Sequence, residues 1–256
     1  MKFIQSRDNL FFKELLKLSA TARNRNKAGL TLLDGAHLLA AYLDAGHQPR
    51  HLLLDAAALR DAEIVSLLAR LEEVPVTQLD DKLFAQLSEL KTPTGILALI
   101  ELPQPVLRAA HFALLLEDIQ DPGNMGSILR TAAAAGCDAV FLSQGCADAW
   151  SPKVLRAAMG GHFCLAIHER QDLLQVAGAF SGTLLATSLQ ATRSLYDCEL
   201  GGDIAFMVGN EGAGLSAALL SLATQPVIIP MPGKVESLNA AAATAICLFE
   251  AVRQRI

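Results

Sequence analysis

HFALLLEDIQDPGNMGSILRTA, residues 111 to 132, decides the fold class. Its first seven residues form a nearly unbroken apolar run, the signature of a strand covered on both faces of a parallel sheet. A loop bearing Pro122 and Gly123 follows, and a helical stretch comes after it. The same succession of strand, Gly- or Pro-rich loop and helix recurs in MVGNEGAGLS (207–216) and IIPMPGKVESLNAAAATAI (228–246). Outward from these segments, DAVFLS (138–143), FCLAIH (163–168), GTLLATS (182–188), DIAFMVG (203–209) and QPVIIP (225–230) are equally apolar. A helix from about Ser237 to Arg253 closes the series. The class is therefore α/β with a buried parallel sheet.

Toward the N-terminus a second alternation appears. TLLDG, HLLLD, VPVTQL and TGILALIEL read as strands, and residues 35–46, Ala57–Leu71 and Asp80–Ser88 read as helices, together a smaller α/β unit. Pro103-Gln104-Pro105 breaks the pattern, since proline disfavours helix at its own position and just before it. The expected domains are residues 1–103 and 106–256.

With 256 residues, 52% hydrophobic and 18% charged, the chain has enough apolar content for two cores, which excludes disordered and low-complexity classes. Gly212 to Gly233 carries no charge but holds Pro226, Pro230 and Pro232, a combination that excludes a membrane-spanning helix. MKFIQSRDNLFFKELLK interleaves charges with apolar residues and is not a secretory signal, so a cytoplasmic protein is expected. Five cysteines, at 137, 146, 164, 198 and 247, include no CxxC pair, so neither a disulfide framework nor a structural zinc is expected. His162 and His168 lack a partner pattern, and no metal is called for.

The net charge of −5 conceals an asymmetry. Residues 1–30 hold Lys2, Arg7, Lys13, Lys17, Arg23, Arg25 and Lys27 against Asp8 and Glu14, a net of +5, which leaves −10 on the rest. A basic arm on an acidic body suits a local polyanion contact, with a solvated helix face as the plain alternative.

The three strand–loop–helix junctions are where ligands gather in parallel sheets, because loops at the carboxyl ends of strands converge there and fresh helix N-termini present unpaired N–H groups. Together they carry Asn124, Arg130, Glu211, Ser237 and Asn239. The dinucleotide fingerprint GxGxxG, the phosphate loop GxxxxGK[ST] and the hydrolase elbow GxSxG are all missing, which removes the common oxidoreductase, nucleotidase and serine-hydrolase classes.

In order and spacing, DPGNMGSILRTA, VGNEGAGL and IPMPGKVESLNAAAATAI resemble the three motifs of the SpoU (TrmH) family of RNA ribose 2'-O-methyltransferases, part of the SPOUT class. SPKVLRAAMGG (151–161) and SRDNLFFKELLKL with LLDGAHLL are similar to members with a ribosomal-protein-like RNA-binding domain in front. Three positions depart from the common pattern: Asn239-Ala240-Ala241 in place of Asn-Val-Ser, Ala157 and Ala158 where a serine is frequent, and Asp34 where glutamate is usual.

The resemblance implies a trefoil-knotted catalytic domain, S-adenosylmethionine as cofactor, a homodimer packed through that domain, and structured RNA as substrate, ribosomal RNA before transfer RNA. It makes Arg130 the catalytic arginine. A guanidinium with a pKa above about 12 favours a fixed cation holding phosphate and the developing oxyanion, with proton abstraction as the alternative. Asn124, Glu211, Ser237 and Asn239 complete the catalytic set; helix capping is the plain alternative for Asn124, Glu211 and Ser237. Thr187, Leu189, Gly209, Ile229, Met231 and Leu238 are implied to line the cofactor pocket, and Arg7, Lys13, Arg23, Arg25 and Lys27 to meet RNA. A non-catalytic RNA-binding or ribosome-assembly factor is the competing class, against which the intact Asn124, Arg130, Glu211 and Asn239 argue.

Overall fold

The computed structural model describes residues 1–90, 92–106 and 109–256. The chain forms two compact units. One comprises Met1–Gln104 with Trp150–Phe163, the other Pro105–Ala149 with Cys164–Ile256.

The first unit is built from β1 (Lys2–Ile4), α1 (Leu10–Ala20), α2 (Ala22–Ala28), β2 (Leu30–Asp34), α3 (Ala36–Asp44), β3 (His51–Leu54), α4 (Ala62–Ala69), β4 (Val76–Leu79), α5 (Asp81–Leu87) and β5 (Ile96–Glu101). Its sheet has the order β1-β4-β3-β5-β2, with β5 antiparallel to both neighbours. Alternate strand residues Ile4, Leu79, Leu53, Leu97, Leu99 and Leu32 form one core with Phe12, Leu15 and Leu18 of α1 and Leu83, Phe84 and Leu87 of α5. Each such leucine, fully buried, contributes about 1.5–3 kcal/mol. The helix expected over Ala57–Leu71 is shorter, because the Asp61 carboxylate accepts the N–H groups of Glu63 and Ile64 and starts α4 there. Residues Ala58–Arg60 make a single 3-10 turn.

The second unit continues with β6 (Phe112–Leu116), α6 (Pro122–Ala135) and β7 (Ala139–Leu142). Next, α7 (Pro152–Ala158) folds with the first unit although it lies past the Pro103–Pro105 break: it packs on β2, and the Trp150 carbonyl accepts the Thr31 hydroxyl at 3.1 Å. Then come β8 (Ala166–His168), α8 (Leu173–Ala179), β9 (Thr183–Thr187), β10 (Ile204–Val208), α9 (Ala217–Leu220), β11 (Gln225–Val227) and α10 (Ala240–Arg255). FCLAIH yields only three strand residues, since Gly161–Cys164 are a 3-10 turn. The last helix begins at Ala240, not near Ser237.

All six strands of this sheet are parallel, in the order β11-β9-β10-β6-β7-β8. Ala113, Leu115, Ala205 and Met207 face α8 and α9; α6 and α10 pack on each other, and α10 packs on β10. The chain leaves β6 toward β7 and β8, then returns on the other side through β9, so β6 and β10 flank a topological switch point. Their register places Leu116 opposite Val208, so both strands end level and their loops rise side by side. Among the described residues no helix is long and apolar enough to cross a membrane.

Candidate active site

The loop after β6 starts on a strained residue. Asp118 has φ 54°, a conformation unusual for a side-chain-bearing residue. Ser143 holds it there: its Oγ accepts the Asp118 N–H at 2.9 Å and donates to Asp118 Oδ1 at 2.5 Å. Gly145 lies so close that a Cβ would stand 2.3 Å from that oxygen, so a side chain there would displace the aspartate. Asp121 then caps α6 by accepting the Asn124 N–H at 2.8 Å, with Pro122 in the first turn where its missing donor costs nothing.

Capping thus falls to Asp121, and Asn124 is three residues into the helix with its side chain free for other work. Its Nδ2 donates to Glu211 Oε1 at 3.0 Å, and its Oδ1 accepts Asn239 Nδ2 at 2.8 Å. Asn239 caps α10, its Oδ1 taking the N–H groups of Ala241 and Ala242 at 2.9 and 3.2 Å. That cap fixes which end of the Asn239 amide faces Asn124, and so which end of Asn124 faces the carboxylate. Glu211, Asn124 and Asn239 form one directed polar chain across three loops.

Partial burial pushes the Glu211 carboxyl upward, but donation from Asn124 and from the backbone N–H groups of Asp121 and Gln120 outweighs it and holds the pKa below the ordinary value. Glu211 therefore ties two loops together. The cap of α9 is Ser216. Arg130 lies six residues beyond Asn124 on α6, exposed, and makes no hydrogen bond or ion pair with any described residue.

Beside this chain opens a cavity of about 440 Å³, within the usual range for a small-molecule site. All six residues assigned to the cofactor, Thr187, Leu189, Gly209, Ile229, Met231 and Leu238, line it, as do Glu211 and Ser237. The continuous run Gly209 to Leu215 forms much of the wall. A Cβ on Gly209 would stand 2.1 Å from the Gly214 carbonyl carbon, so glycine is required because the loop folds back on itself there. Asn210 closes that turn: its backbone pairs with Gly214, its Oδ1 accepts from Gly212 and Ala213, and its Nδ2 donates to the Asp118 carbonyl at 2.8 Å. Asn210 was not singled out from the sequence, although asparagine ahead of Gly-rich residues is a usual turn signal. Ser237 caps no helix and is exposed at the cavity edge.

The basic arm divides. Arg23 and Lys27 are exposed on α2. Arg7 donates to Gln86, and Lys13 pairs with Asp8 at 2.7 Å, both on the surface. Arg25 differs from the expectation, for it is 4% exposed and its guanidinium donates to the carbonyls of Leu18 at 2.6 Å and Ser19 at 3.3 Å, closing the end of α1. Burial in that position occupies the guanidinium with its own fold. The described residues hold no cluster of three potential metal ligands, and all five cysteines are free thiols, with burial pushing Cys137 and Cys247 up to about 12.

A parallel sheet with a cavity over the ends of β9, β10 and β11, beside a carboxylate–amide chain, is the build of an enzyme that handles a small cofactor. Residues 111–249 match the SpoU rRNA Methylase family, and residues 9–98 match an MRM3-like substrate binding domain. The chain belongs to the SpoU rRNA methylase family. It is 35% identical to an uncharacterized tRNA/rRNA methyltransferase of Synechocystis sp., over 98% of this chain and 94% of that one. It is 34% identical to the 23S rRNA (guanosine(2553)-2'-O)-methyltransferase RlmP of Bacillus subtilis, over 97% and 98%. Among solved structures, the SpoU methyltransferase AviRb from Streptomyces viridochromogenes in complex with AdoMet superposes with a TM-score of 0.83 at 28% identity, covering 96% of this chain and 99% of that one.

Proposed function

We propose that the 440 Å³ cavity receives S-adenosylmethionine, that the Glu211–Asn124–Asn239 chain with Arg130 and Ser237 serves the reacting ribose, and that the substrate is ribosomal RNA. The reaction class is that of the family: the chain is an S-adenosylmethionine-dependent RNA 2'-O-methyltransferase. The carrying observation is the directed polar chain beside a cavity lined by the glycine-rich run Gly209–Leu215.

The cavity fits the cofactor on chemical grounds, since Gly209–Leu215 offers backbone donors and acceptors for a base edge while Leu189, Ile229, Met231 and Leu238 offer apolar cover. When bound, S-adenosylmethionine supplies a methyl group already activated on sulfonium. What remains for the protein is to orient a poor nucleophile and to lower the charge cost at its oxygen. We assign Arg130 that electrostatic task, its exposed cation holding an RNA phosphate and the developing oxyanion. Asn124 and Asn239 hold the sugar by their amides, and Glu211 fixes the orientation of Asn124.

Ribosomal RNA is favoured over transfer RNA because of the substrate-binding unit in front and the 23S rRNA specificity in the name of a relative of matching length. Arg7, Lys13, Arg23 and Lys27 are the RNA contacts we retain. A cytoplasmic homodimer joined through the catalytic unit belongs to the same proposal, supported by the free thiols and by α10, where Phe249 is 48% exposed. So does threading of residues 228–239 as a trefoil knot. Support comes from the β9–β10 connection, tied by Ile228 to Arg193 and Leu195 on one side and by Gln254 and Arg255 to Cys198, Leu200 and Gly202 on the other.

The test is methyl transfer from labelled S-adenosylmethionine to ribosomal and transfer RNA, with ribose methylation mapped in RNA from cells lacking the gene. Arg130→Ala is expected to abolish transfer and to leave cofactor affinity within about twofold by calorimetry, below 0.5 kcal/mol. An equal loss of both would overturn the division of labour.

A further inference from the structure

We propose that Glu117 is a positioning residue for the cofactor-side loop, acting through Ser216; the inference rests on the cavity's being the S-adenosylmethionine site. Glu117 follows directly on β6, and its N–H donates to the Val208 carbonyl at 2.9 Å, extending the β6–β10 ladder by one step. Its backbone is thus as fixed as the sheet. Its Oε2 accepts the Ser216 N–H at 2.6 Å, a short bond to a carboxylate and so among the stronger kind.

Ser216 sits in the chain between Leu215 and Ala217, both of which line the cavity. The run begins at Gly209, turns through the Asn210–Gly214 backbone pair and leaves through Leu215 into Ser216, which caps α9. Near its start the loop is tied to the β6 side by Asn210, and at Glu211 by the contacts with Gln120, Asp121 and Asn124. Glu117 supplies the tie at the far end. Without it, Leu215 and Ser216 would join the Asn210–Gly214 turn to a helix of four residues with no tie to the β6 side. Backbone released there would have to be ordered again when the cofactor binds, and that cost would weaken affinity.

The two strand ends also exchange carboxylates: Glu117 from the β6 side reaches the loop after β10, and Glu211 from that loop reaches the loop after β6. Glu211 orients Asn124 and so belongs to the ribose side, whereas Glu117 holds Ser216, between the cavity residues Leu215 and Ala217. The division predicts a split in kinetics. Glu117→Ala should raise both the Kd and the KM for S-adenosylmethionine about tenfold, equivalent to about 1.4 kcal/mol, while kcat at saturating cofactor falls less than about threefold. Glu117→Gln keeps an acceptor oxygen at the same reach and should restore both constants to within about threefold of wild type. Should Glu117→Ala not fold, Glu117→Met keeps the volume without the acceptor, and the same expectations apply.

Calorimetry with S-adenosylmethionine on the full chain comes first. Absence of binding by wild type would remove the cavity assignment itself. Binding by wild type with equal affinity in the Ala or Met variant would overturn the role of Glu117 alone. A fall in kcat at unchanged KM, or a Gln variant as poor as Ala, would overturn it as well.

Discussion

Replacing Asn239 by Asp separates two jobs that one amide performs. As the cap of α10 it offers an oxygen to Ala241 and Ala242, and as a link in the polar chain it offers an N–H to Asn124. Aspartate caps as well as asparagine, so the helix should keep its start. The Nδ2 donor, however, becomes a second carboxylate oxygen facing Asn124 Oδ1. If Asn124 keeps its orientation, two oxygens confront each other; if it turns, its oxygen faces Glu211 instead. In either case one carboxylate loses its donor. A hydrogen bond to a charged group is worth about 1.5–3 kcal/mol, so kcat should fall by about tenfold to 150-fold. If Asn124 turns, the Glu211 pKa should rise toward its ordinary value, since donation from Asn124 is the largest influence holding it down. Asn239→Ala is the control: it removes the cap at about 1 kcal/mol, lowering Tm by about 2–4 °C. The assay is methyl transfer at saturating cofactor and RNA beside thermal melting of both variants. Wild-type kcat in Asn239→Asp, or a Tm loss equal to that of Asn239→Ala, would refute the directed chain.

Gly209→Ala places a Cβ against the Gly214 backbone, so cofactor affinity should drop by about tenfold or more, roughly 1.4 kcal/mol, in a protein that still unfolds cooperatively; unchanged affinity would free Gly209 from the wall. Arg25→Ala should cost about 1.5–3 kcal/mol of stability through its bonds to the end of α1, with the salt dependence of RNA binding untouched. Arg23→Ala and Lys27→Ala should behave oppositely, each removing about 0.7–0.9 from the slope of log affinity against log salt; a common outcome for all three would show that burial does not sort the arm. Hydrogen bonds from Arg253 and Gln254 hold the buried Glu250 carboxyl at about 2 in the fold, against an ordinary 4.5. Its stabilising contribution is therefore complete above the ordinary value and lost as pH falls through about 2. Denaturant unfolding from pH 6 down to 2 should show Glu250→Gln converging on wild type at the acid end, and parallel curves would count against this.

The parallel sheet was legible because its strands are buried on both faces and so announce themselves as apolar runs. FCLAIH showed the limit of that signal, for a run shared between a 3-10 turn and a strand has the same composition as a longer strand. Of the residues assigned to the cofactor only Gly209 stood out in a glycine-rich loop, while Thr187, Leu189, Ile229, Met231 and Leu238 came with the family resemblance alone, since an apolar residue reads equally well as core. Ser237 and Asn239 are equally good helix caps by residue type, and in the fold the cap is Asn239, which also donates to Asn124. Arg25 is one of three basic residues in ARNRNKA, and charge counting has no way to mark the one whose carbonyl partners sit on the preceding helix. Glu117 and Asp118 followed a strand unremarked because their partners, Ser216 and Ser143, are far away in the chain.

Because Trp150–Phe163 folds with the front unit, the two units are not beads on a string. The backbone passes between them three times, near residues 104, 149 and 163. A simple end-to-end gene fusion would leave one crossing. Here a stretch lying between two strands of the catalytic sheet has been lent to its neighbour, where Val154, Leu155 and Ala158 are buried. Cutting at residue 104 would therefore take α7 from the front unit and leave its apolar residues stranded in the other fragment, and the front unit is better regarded as a graft that has taken tissue from its host than as a detachable module.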